Sequence, residues 1–324
     1  MSTTESQDAT PSGPSDAEPS RRLRRRETKR AGDVIFASIA RGAGFTILIA
    51  LAGVGIFLTI QGIPALTAEE YKGADSLLAY VWPLVFGTVL AAVIALLIAT
   101  PLSIALALVS SHYAPRRLAV PIGYVIDLLA AVPSVVYGLW GGLYLGPKLV
   151  PVYDWLNQNV GWLPFFATTP NPSGRTMLTV GIVLAIMILP IISAIARDIF
   201  AQTPTLHQEA ALALGATRWE MIRLTVFPYA RSGLVSAIML GLGRALGETM
   251  AVAMILSATG IVTFNLIGNQ NSSTIAANIA LQFPESSGVD VNVLIFSGLV
   301  LFALTFLVNF AARAIVARAE RIPA

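Results

Sequence analysis

Two ionisable residues lie inside a long stretch that is otherwise uncharged. Between Gly233 and Gly260 the charged residues are Arg244, at the twelfth of 28 positions, and Glu248. Residues four apart share a face of a continuous helix, so the spacing predicts that Glu248 follows Arg244 by one turn on one face. In a membrane-spanning helix a charge near the centre costs about 2.5–3.5 kcal/mol, which makes both residues candidates for a functional site.

The chemistry of this pair has two interpretations. A guanidinium group stays charged and binds two oxygens at once, which suits a tetrahedral oxyanion. Arg244 would then bind a passing anion, and Glu248 would pair with Arg244 between visits. The alternative is a self-neutralised ion pair that only joins helices. Gly243 and Gly247 form a G-x-x-x-G pattern, which predicts close approach of another helix.

A proline marks a second candidate region. Pro133 lacks a backbone N–H and leaves a carbonyl one turn earlier without its helical partner. Ser134 and Tyr137 are three residues apart beside this break, so they are candidate hydroxyl groups along a transport path; an ordinary helix kink is the alternative. Asp127 is expected to pair with a basic residue of a neighbouring helix, which the sequence does not identify.

The composition indicates what kind of protein holds these residues. Of 324 residues, 55% are hydrophobic and 12% charged, about half the ~25% charged residues of globular domains, and the mean hydropathy is +0.72. We therefore expect an integral membrane protein. With no cysteine and two histidines, the sequence predicts no disulfide, no thiol nucleophile, no metal site and no catalytic residue.

Six uncharged stretches are long enough to cross a bilayer, which needs about 20 helical residues. The second stretch has 33 residues and is interpreted as one tilted helix, since a pair with a turn needs about 40. The predicted fold class is an all-α polytopic membrane protein with six transmembrane helices. The spans are residues 42–62, 79–111, 119–145, 177–195, 233–260 and 293–312.

Charge asymmetry predicts the orientation of the spans. With an internal N-terminus, 17 of the 21 Lys and Arg residues fall on the inner side, three on the outer side and one, Arg244, inside a span. This distribution follows the positive-inside rule and places both termini in the cytoplasm. Residues 1–30 are predicted to be a disordered tail ending in a basic run at 21–30. Topology thus accounts for the basic charge, and no nucleic-acid partner is expected.

A long loop on the predicted inner side, residues 199–231, is termed the elbow. Thr205–Gln208 and Thr217–Glu220 each have the spacing of a capping box, which predicts two short helices. Gly215 stands where the first helix is expected to end in a positive φ angle, and Pro228 is expected to close the segment.

The elbow resembles the EAA loop of bacterial ABC importer permeases. The matching residues are Glu209, Ala210, Ala211, Gly215 and Pro228, while Thr225 and Phe227 depart from the family's Ile and Leu. The resemblance implies the type I ABC importer permease fold, with an elbow, including Arg218, that docks on a separate ATP-hydrolysing subunit. The alternative is an ordinary helical hairpin.

The chain has no phosphate-binding loop of its own. A Walker A motif needs Gly before its Lys, whereas Lys29, Lys72 and Lys148 follow Thr, Tyr and Pro. We therefore expect no cofactor on this chain and no enzymatic activity of its own. By the resemblance, ATP and magnesium would be bound by the partner ATPase.

Three further segments are similar to the PstC family of phosphate importer permeases: Gly243–Val252, Val132–Gly138, and Ile188–Ile192 with Arg197-Asp198. Met250-Ala251-Val252 favours PstC over the sister permease family PstA. This resemblance implies partners resembling PstA, a homodimeric ATPase resembling PstB and an extracytoplasmic phosphate-binding protein resembling PstS. It also implies a location in the bacterial plasma membrane.

Alternative functions remain open on the chemistry alone. A secondary anion transporter would use Arg244, Glu248 and Asp127 as an ion relay, without an ATPase. A membrane sensor would bind its ligand without flux. A single Arg does not distinguish phosphate from molybdate or sulfate, so an ABC permease for another oxyanion is a further alternative.

Overall fold

A computed structural model describes residues 31–67, Tyr71 and residues 74–319. The predicted tail at 1–30 lies outside these residues. By contacts the chain divides into two units, Met1–Ala52 and Gly53–Ala324. The described part of the first unit is the beginning of one long helix, on which the side chains described are exposed.

The described part of the chain is built from helices, with isolated bridges at Tyr71–Ala74 and Ala258–Asn271 and no β-strand. Proceeding along the chain, the helices are α1 (Ala31–Gly62), α2 (Leu77–Leu108), α3 (Arg116–Ala130), α4 (Ser134–Trp140), α5 (Gly146–Val160), α6 (Met177–Ala201), α7 (Thr205–Ala213), α8 (Arg218–Met221), α9 (Phe227–Leu246), α10 (Met250–Ile255), α11 (Ile275–Gln282) and α12 (Val289–Ala319). Short 3₁₀ segments lie at Ile63–Thr67 and Phe283–Glu285, and π-helical turns at Val109–Tyr113, Gly141–Leu145 and Ile222–Val226.

The all-α, multi-span architecture is confirmed. Within the described residues, five helical segments are long and apolar enough to cross a membrane, and the number is six if a bent helix pair is taken as one span. The second predicted span is one continuous helical segment, Leu77–Tyr113. The prediction of one long helix, rather than a pair of helices joined by a turn, agrees with the structure.

The third predicted span, 119–145, is not one straight helix. It lies within a pair, Arg117–Ala130 and Ser134–Val160, bent by 90°. The break falls at Pro133, which is the N-cap of α4. Proline cannot donate to the preceding turn and disfavours helical geometry in the residue before it, so the helix stops and restarts here.

The fifth predicted span, 233–260, also differs from expectation. The helical run begins at Arg218 and ends at Leu246. The predicted span therefore starts inside this helix, and its last part, residues 247–260, lies beyond the end of the helix. The expectation that Pro228 closes the elbow is wrong. A π-helical turn at Ile222–Val226 directly precedes this proline, and Pro228 occupies the first turn of α9, where a missing N–H costs little.

The main hydrophobic core lies where α2, α6 and α9 pack together. Small residues let these helices approach closely. A Cβ at Gly181 of α6 would clash with the side chain of Ile94 on α2, and one at Gly241 of α9 would lie 2.7 Å from Ile192 Cδ1 on α6. Helix α6 is therefore the central element of the packing, and its middle residues Val183, Leu184, Ile188 and Ile192 are buried.

A second cluster lies between the elbow and the end of α6. Phe200 of α6 is fully buried and contacts Phe227 edge-on, with ring centroids 6.0 Å apart. The cluster comprises Ala107, Leu108, Ala196, Phe200, Met221, Ile222, Val226, Ala230 and Leu234. Burial of these residues fixes the first half of the Arg218–Leu246 run against α2 and α6.

The irregular segment between α10 and α11 is held by buried polar side chains. Asn271 is fully buried; its Oδ1 accepts from the Met177 N–H at 3.2 Å and its Nδ2 donates to the Gly268 carbonyl at 3.2 Å. Thr88 Oγ1 of α2 accepts from the Ile275 N–H at 3.0 Å. Non-helical backbone inside a membrane protein must be satisfied in this way by protein groups.

The contact between α2 and this segment leads to a prediction. A Cβ at Gly87 would clash with the backbone oxygen of Ser273. Gly87→Ala is expected to destabilise the fold by about 1–3 kcal/mol, the usual cost of overpacking. Thermal unfolding of the purified chain in detergent measures it. Gly53→Ala, at a position with open space around it, is the matched control and is expected to be neutral; equal melting temperatures for both variants would contradict this packing.

Candidate functional site

Arg244 lies in the last turn of α9, and its side chain is exposed. It lines a cavity of about 730 Å³, within the ~300–1,000 Å³ range of small-molecule sites. The cavity is formed by α9, α12 and one residue of α6. Its lining residues are Ile191, Val235, Ser236, Met239, Leu240, Gly243, Arg244, Asn309, Ala312 and Arg313.

The electrostatic surroundings of Arg244 differ from the sequence prediction. The predicted pairing with Glu248 on one helix face is wrong, because α9 ends at Leu246. Within the described residues no carboxylate forms an ion pair with Arg244. The guanidinium instead lies at a helix C-terminus, where the backbone carbonyls favour a positive charge. Arg244 therefore has its charge available in the cavity.

Glu248 stabilises the start of the next helix. Its side chain is 8% exposed, and Oε1 accepts from the backbone N–H of Ala251 at 3.1 Å. Helix α10 begins at Met250, so this carboxylate satisfies one of the free N–H groups of its first turn. The residue connects α9 to α10 across a short break and is not among those that line the Arg244 cavity.

Tyr137 closes the break made by Pro133. Its hydroxyl donates to the Leu129 carbonyl at 3.0 Å. Leu129 is four residues before Pro133, so this is the carbonyl that the proline cannot bond. Neither Tyr137 nor Ser134, which is half-buried at the start of α4, is among the residues that line the Arg244 cavity.

Sequence reasoning missed the contribution of α12 to the cavity. Asn309 and Arg313 lie four residues apart on one face of this helix, and both line the cavity with Arg244. From the sequence, Arg313 is predicted only to be one of the positive charges on the cytoplasmic side. The sequence does contain one signal: a polar residue, Asn309, lies one turn before Arg313 near the end of an apolar helix. This pattern does not show which helix packs against α9.

The predicted G-x-x-x-G contact is not made within the described chain. A Cβ at Gly243 would meet nothing within 4 Å, and one at Gly247 would meet only the carbonyl of Gly243, at 3.6 Å. Close approach occurs instead between α4 and α10, where a Cβ at Gly138 would lie 2.9 Å from Ala251 Cα. The glycine face beside Arg244 therefore lies open in this chain.

Asp127 lies apart from Arg244. It lines a cavity of about 310 Å³ together with Arg197 of α6, whose Nη1 would lie 2.5 Å from a Cβ at Gly123. Arg197 is thus the basic residue of a neighbouring helix that shares a cavity with Asp127. Its ion pair within the described residues is with Asp198, at 3.6 Å from Nε to Oδ1.

The two halves of the elbow are capped differently. The box predicted at Thr217–Glu220 is confirmed: Thr217 N–H donates to Glu220 Oε2 at 2.8 Å, and Glu220 N–H donates to Thr217 Oγ1 at 3.3 Å. The box predicted at Thr205–Gln208 is wrong. Pro204 is the N-cap of α7, and Gln208 Nε2 donates to the Thr203 carbonyl at 3.1 Å.

Helix α7 is exposed along its length. Glu209 and Ala210 are exposed, whereas Ala211 is half-buried and packs against the Phe200 cluster. Gly215 follows the helix with a φ of 87°, as predicted, and Arg218 opens α8 with an exposed side chain. Five large apolar side chains on the elbow are also more than half exposed: Leu206, Leu214, Trp219, Leu224 and Tyr229.

The hydrogen bond from Tyr137 to the Leu129 carbonyl leads to a prediction that distinguishes a structural role of this hydroxyl from a role in ligand binding. Tyr137→Phe removes one hydrogen bond from the Leu129 carbonyl, which still accepts from the Val132 N–H at 3.3 Å, so the free energy of unfolding should fall by about 0.5–1.5 kcal/mol. The expected readout is a lower melting temperature in detergent, with transport per folded complex within about twofold of the wild type. Tyr124→Phe, on an exposed ring of α3, is the control. A variant with unchanged stability and abolished transport would contradict the supporting role.

Comparison with known proteins identifies the family. Residues 99–321 match the family described as "Binding-protein-dependent transport system inner membrane component". The chain is 46% identical over 300 residues to "Phosphate transport system permease protein PstC 2" of Mycobacterium tuberculosis, covering 88% of this chain and 92% of the relative. It is 38% identical over 300 residues to "Phosphate transport system permease protein PstC" of Xylella fastidiosa, covering 89% and 92%.

A solved structure supports the fold. The chain is similar to a structure of the MetNI methionine ABC transporter in an inward-facing conformation, with a TM-score of 0.51 and 17% identity, covering 75% of this chain and 95% of that one. This similarity concerns the fold alone. From the family match and the two relatives, the chain belongs to the binding-protein-dependent transport system inner membrane components, and within them to the PstC family of permeases.

Proposed function

We propose that this chain is the permease subunit of an ATP-driven phosphate importer and forms half of its translocation path. The observation that carries the proposal is the Arg244 guanidinium, which is exposed to a cavity and has no carboxylate partner among the described residues. A free, permanently charged fork binds a tetrahedral oxyanion bidentately. The names of the relatives select phosphate among such anions.

The proposed path residues have different tasks. Arg244 binds the anion. Tyr137 and Glu248 act as positioning residues, because each bonds the backbone at a helix break, and the break at Glu248 directly follows α9. Ser134 is proposed to lie along the path at the start of α4. This division assigns direct contact with phosphate to Arg244, which forms no ion pair in the part of the chain that the structure describes.

Coupling to ATP hydrolysis is proposed to run through the elbow. Its surface residues Glu209, Ala210, Ala211, Gly215 and Arg218 would dock on a separate ATPase subunit. Arg218 and Arg244 belong to one helical run of 29 residues, and the 26 residues from one to the other span about 39 Å at 1.5 Å per residue. A displacement of the elbow would therefore move Arg244. We propose that this movement opens the cavity to one side of the membrane at a time.

The proposed assembly follows the family. The partners are a second permease resembling PstA, a homodimeric ATPase resembling PstB that binds ATP and magnesium, and an extracytoplasmic binding protein resembling PstS. The chain would lie in the bacterial plasma membrane with both termini in the cytoplasm, in contact with lipid and without nucleic acid. The uneven distribution of Lys and Arg supports this orientation.

An ion relay through Arg244, Glu248 and Asp127 has less support. Asp127 lines a different cavity from Arg244, and Glu248 Oε1 accepts a backbone hydrogen bond. A relay needs groups that exchange protons or ions along one connected path. The secondary-transporter alternative is thus less well supported than the ABC permease.

The proposed role of Arg244 is tested by removing its charge. In the complete complex reconstituted in vesicles, Arg244→Gln should lower ATP-driven phosphate uptake by about 100-fold, since hydrogen bonds between charged groups are worth up to about 3 kcal/mol. Arg244→Lys should retain partial uptake, because it keeps the charge without the fork. Subunit stoichiometry should stay unchanged. Wild-type uptake by the Gln variant would refute the role of Arg244.

The coupling role is tested at Gly215. Its φ of 87° suits glycine, and a branched side chain there costs about 1–2 kcal/mol or more. Gly215→Val should weaken binding of the ATPase subunit by roughly tenfold, measured by co-purification at increasing salt and dilution. Gly53→Val, away from the elbow, is the control. Undiminished binding by the Gly215 variant would show that the elbow geometry is not what the ATPase recognises.

A further inference from the structure

The Arg244 cavity contains a second guanidinium. Arg313 of α12 lines it with an exposed side chain. We infer that Arg313 is a second phosphate-binding residue, which receives the anion from Arg244 or passes it to Arg244 within the same cavity. This inference rests on the proposed function, since it assigns a further residue to the same transported ion.

The shape of the cavity supports two binding positions. Its wall on α9 runs from Val235 to Arg244, nine residues or about 14 Å of helix. Arg244 ends this wall on α9, and Arg313 is the last lining residue of α12. A phosphate ion is much shorter than this wall. The cavity therefore has room for an anion to occupy more than one place along it.

The charges of the cavity favour an anion. Its lining holds two guanidinium groups and no Asp or Glu, and within the described residues neither Arg forms an ion pair. Two positive charges that line one cavity repel each other and raise the local concentration of anions. Inorganic phosphate near neutral pH is a mixture of the monoanion and the dianion. The dianion is attracted to each guanidinium group more strongly than a monovalent anion is.

Polar groups complete the lining near these charges. Asn309 lies one turn before Arg313 and can donate through its side-chain amide. Ser236 Oγ donates to the Ser232 carbonyl at 3.1 Å, so its contribution to an anion would require that bond to rotate away. Several modest sites in series allow an ion to enter and also to leave. Arg313 would supply the second of these sites.

A different source of the same chemistry must be distinguished. The phosphate group of a lipid headgroup could also bind Arg313, because this residue lies near the end of a long apolar helix. We commit to free inorganic phosphate, since Arg313 shares its cavity with Arg244. A lipid role is an outcome of the experiment below.

The first experiment measures ATP-driven uptake of inorganic phosphate by the complete complex in vesicles. Arg313→Gln should lower the maximal rate by about tenfold, and the phosphate concentration for half-maximal uptake should not change if the binding protein captures the ion first. Arg313→Lys should restore most of the rate, because the charge returns. Arg117→Gln, which removes an exposed Arg outside the cavity, is the matched control.

The second experiment uses the absence of cysteine from the sequence. Arg313→Cys introduces one thiol, which is then modified with a trimethylammonium or a sulfonate methanethiosulfonate reagent. The cationic reagent should recover uptake several-fold, and the anionic reagent should not. Inorganic phosphate should slow modification at this position and not at Arg117→Cys. Wild-type complex treated with each reagent controls for thiols on partner subunits.

The outcomes separate this inference from the proposed function. If wild-type complex shows no ATP-driven phosphate uptake, the proposed function fails. If the wild type transports and Arg313→Gln equals Arg117→Gln, the inference alone fails. Uptake is also compared in phosphatidylcholine vesicles with and without phosphatidylglycerol. An equal loss in both supports binding of free phosphate, whereas a loss confined to anionic vesicles would overturn the inference in favour of a lipid headgroup.

Discussion

The structure depends on one uninterrupted helical run, Arg218–Leu246, which carries the elbow at its beginning and Arg244 near its end. Its beginning is fixed by the Thr217–Glu220 capping box, and its inner face is buried against α6 through Ile222, Val226 and Leu234. A well-packed helix moves as a rigid element because its backbone bonds are internal. This continuity gives the proposed coupling between the elbow and the cavity a physical basis.

Two breaks between helices are each stabilised by a side chain. Pro133 cannot donate to the Leu129 carbonyl, which accepts from the Tyr137 hydroxyl and from the Val132 N–H. The end of α9 exposes the first turn of α10, and the Glu248 carboxylate bonds the Ala251 N–H. An unsatisfied buried polar group costs about 1–3 kcal/mol. Both residues therefore stabilise irregular backbone, and neither lines the Arg244 cavity.

The cation itself is stabilised by weaker effects. The C-terminal carbonyls of α9 favour a positive charge, and the cavity gives the guanidinium room for water or an ion. Arg313 on α12 lines the same cavity and repels Arg244 rather than neutralising its charge. An arrangement of two unpaired cations is costly in an empty cavity and favourable once an anion is bound. This difference is the electrostatic argument for an anion path.

Much of this protein is determined by the sequence itself. Hydropathy and charge distribution were sufficient for an all-α, multi-span fold, because the bilayer imposes a length and a polarity on each span. Local chemistry predicted the capping box at Thr217 and the positive φ of Gly215, since both depend on a few neighbouring residues. Arg244 was identifiable because a charge is rare in such a stretch.

Tertiary structure decided the relations between distant residues. The pairing of Glu248 with Arg244 assumed a continuous helix, and only the fold shows that the chain breaks after Leu246. Arg313 and Arg244 are 69 residues apart in the sequence, and they share a cavity because α12 packs beside α9. Helical periodicity fixes which residues lie on one face. It does not fix which face meets which, because that choice depends on packing of the whole core.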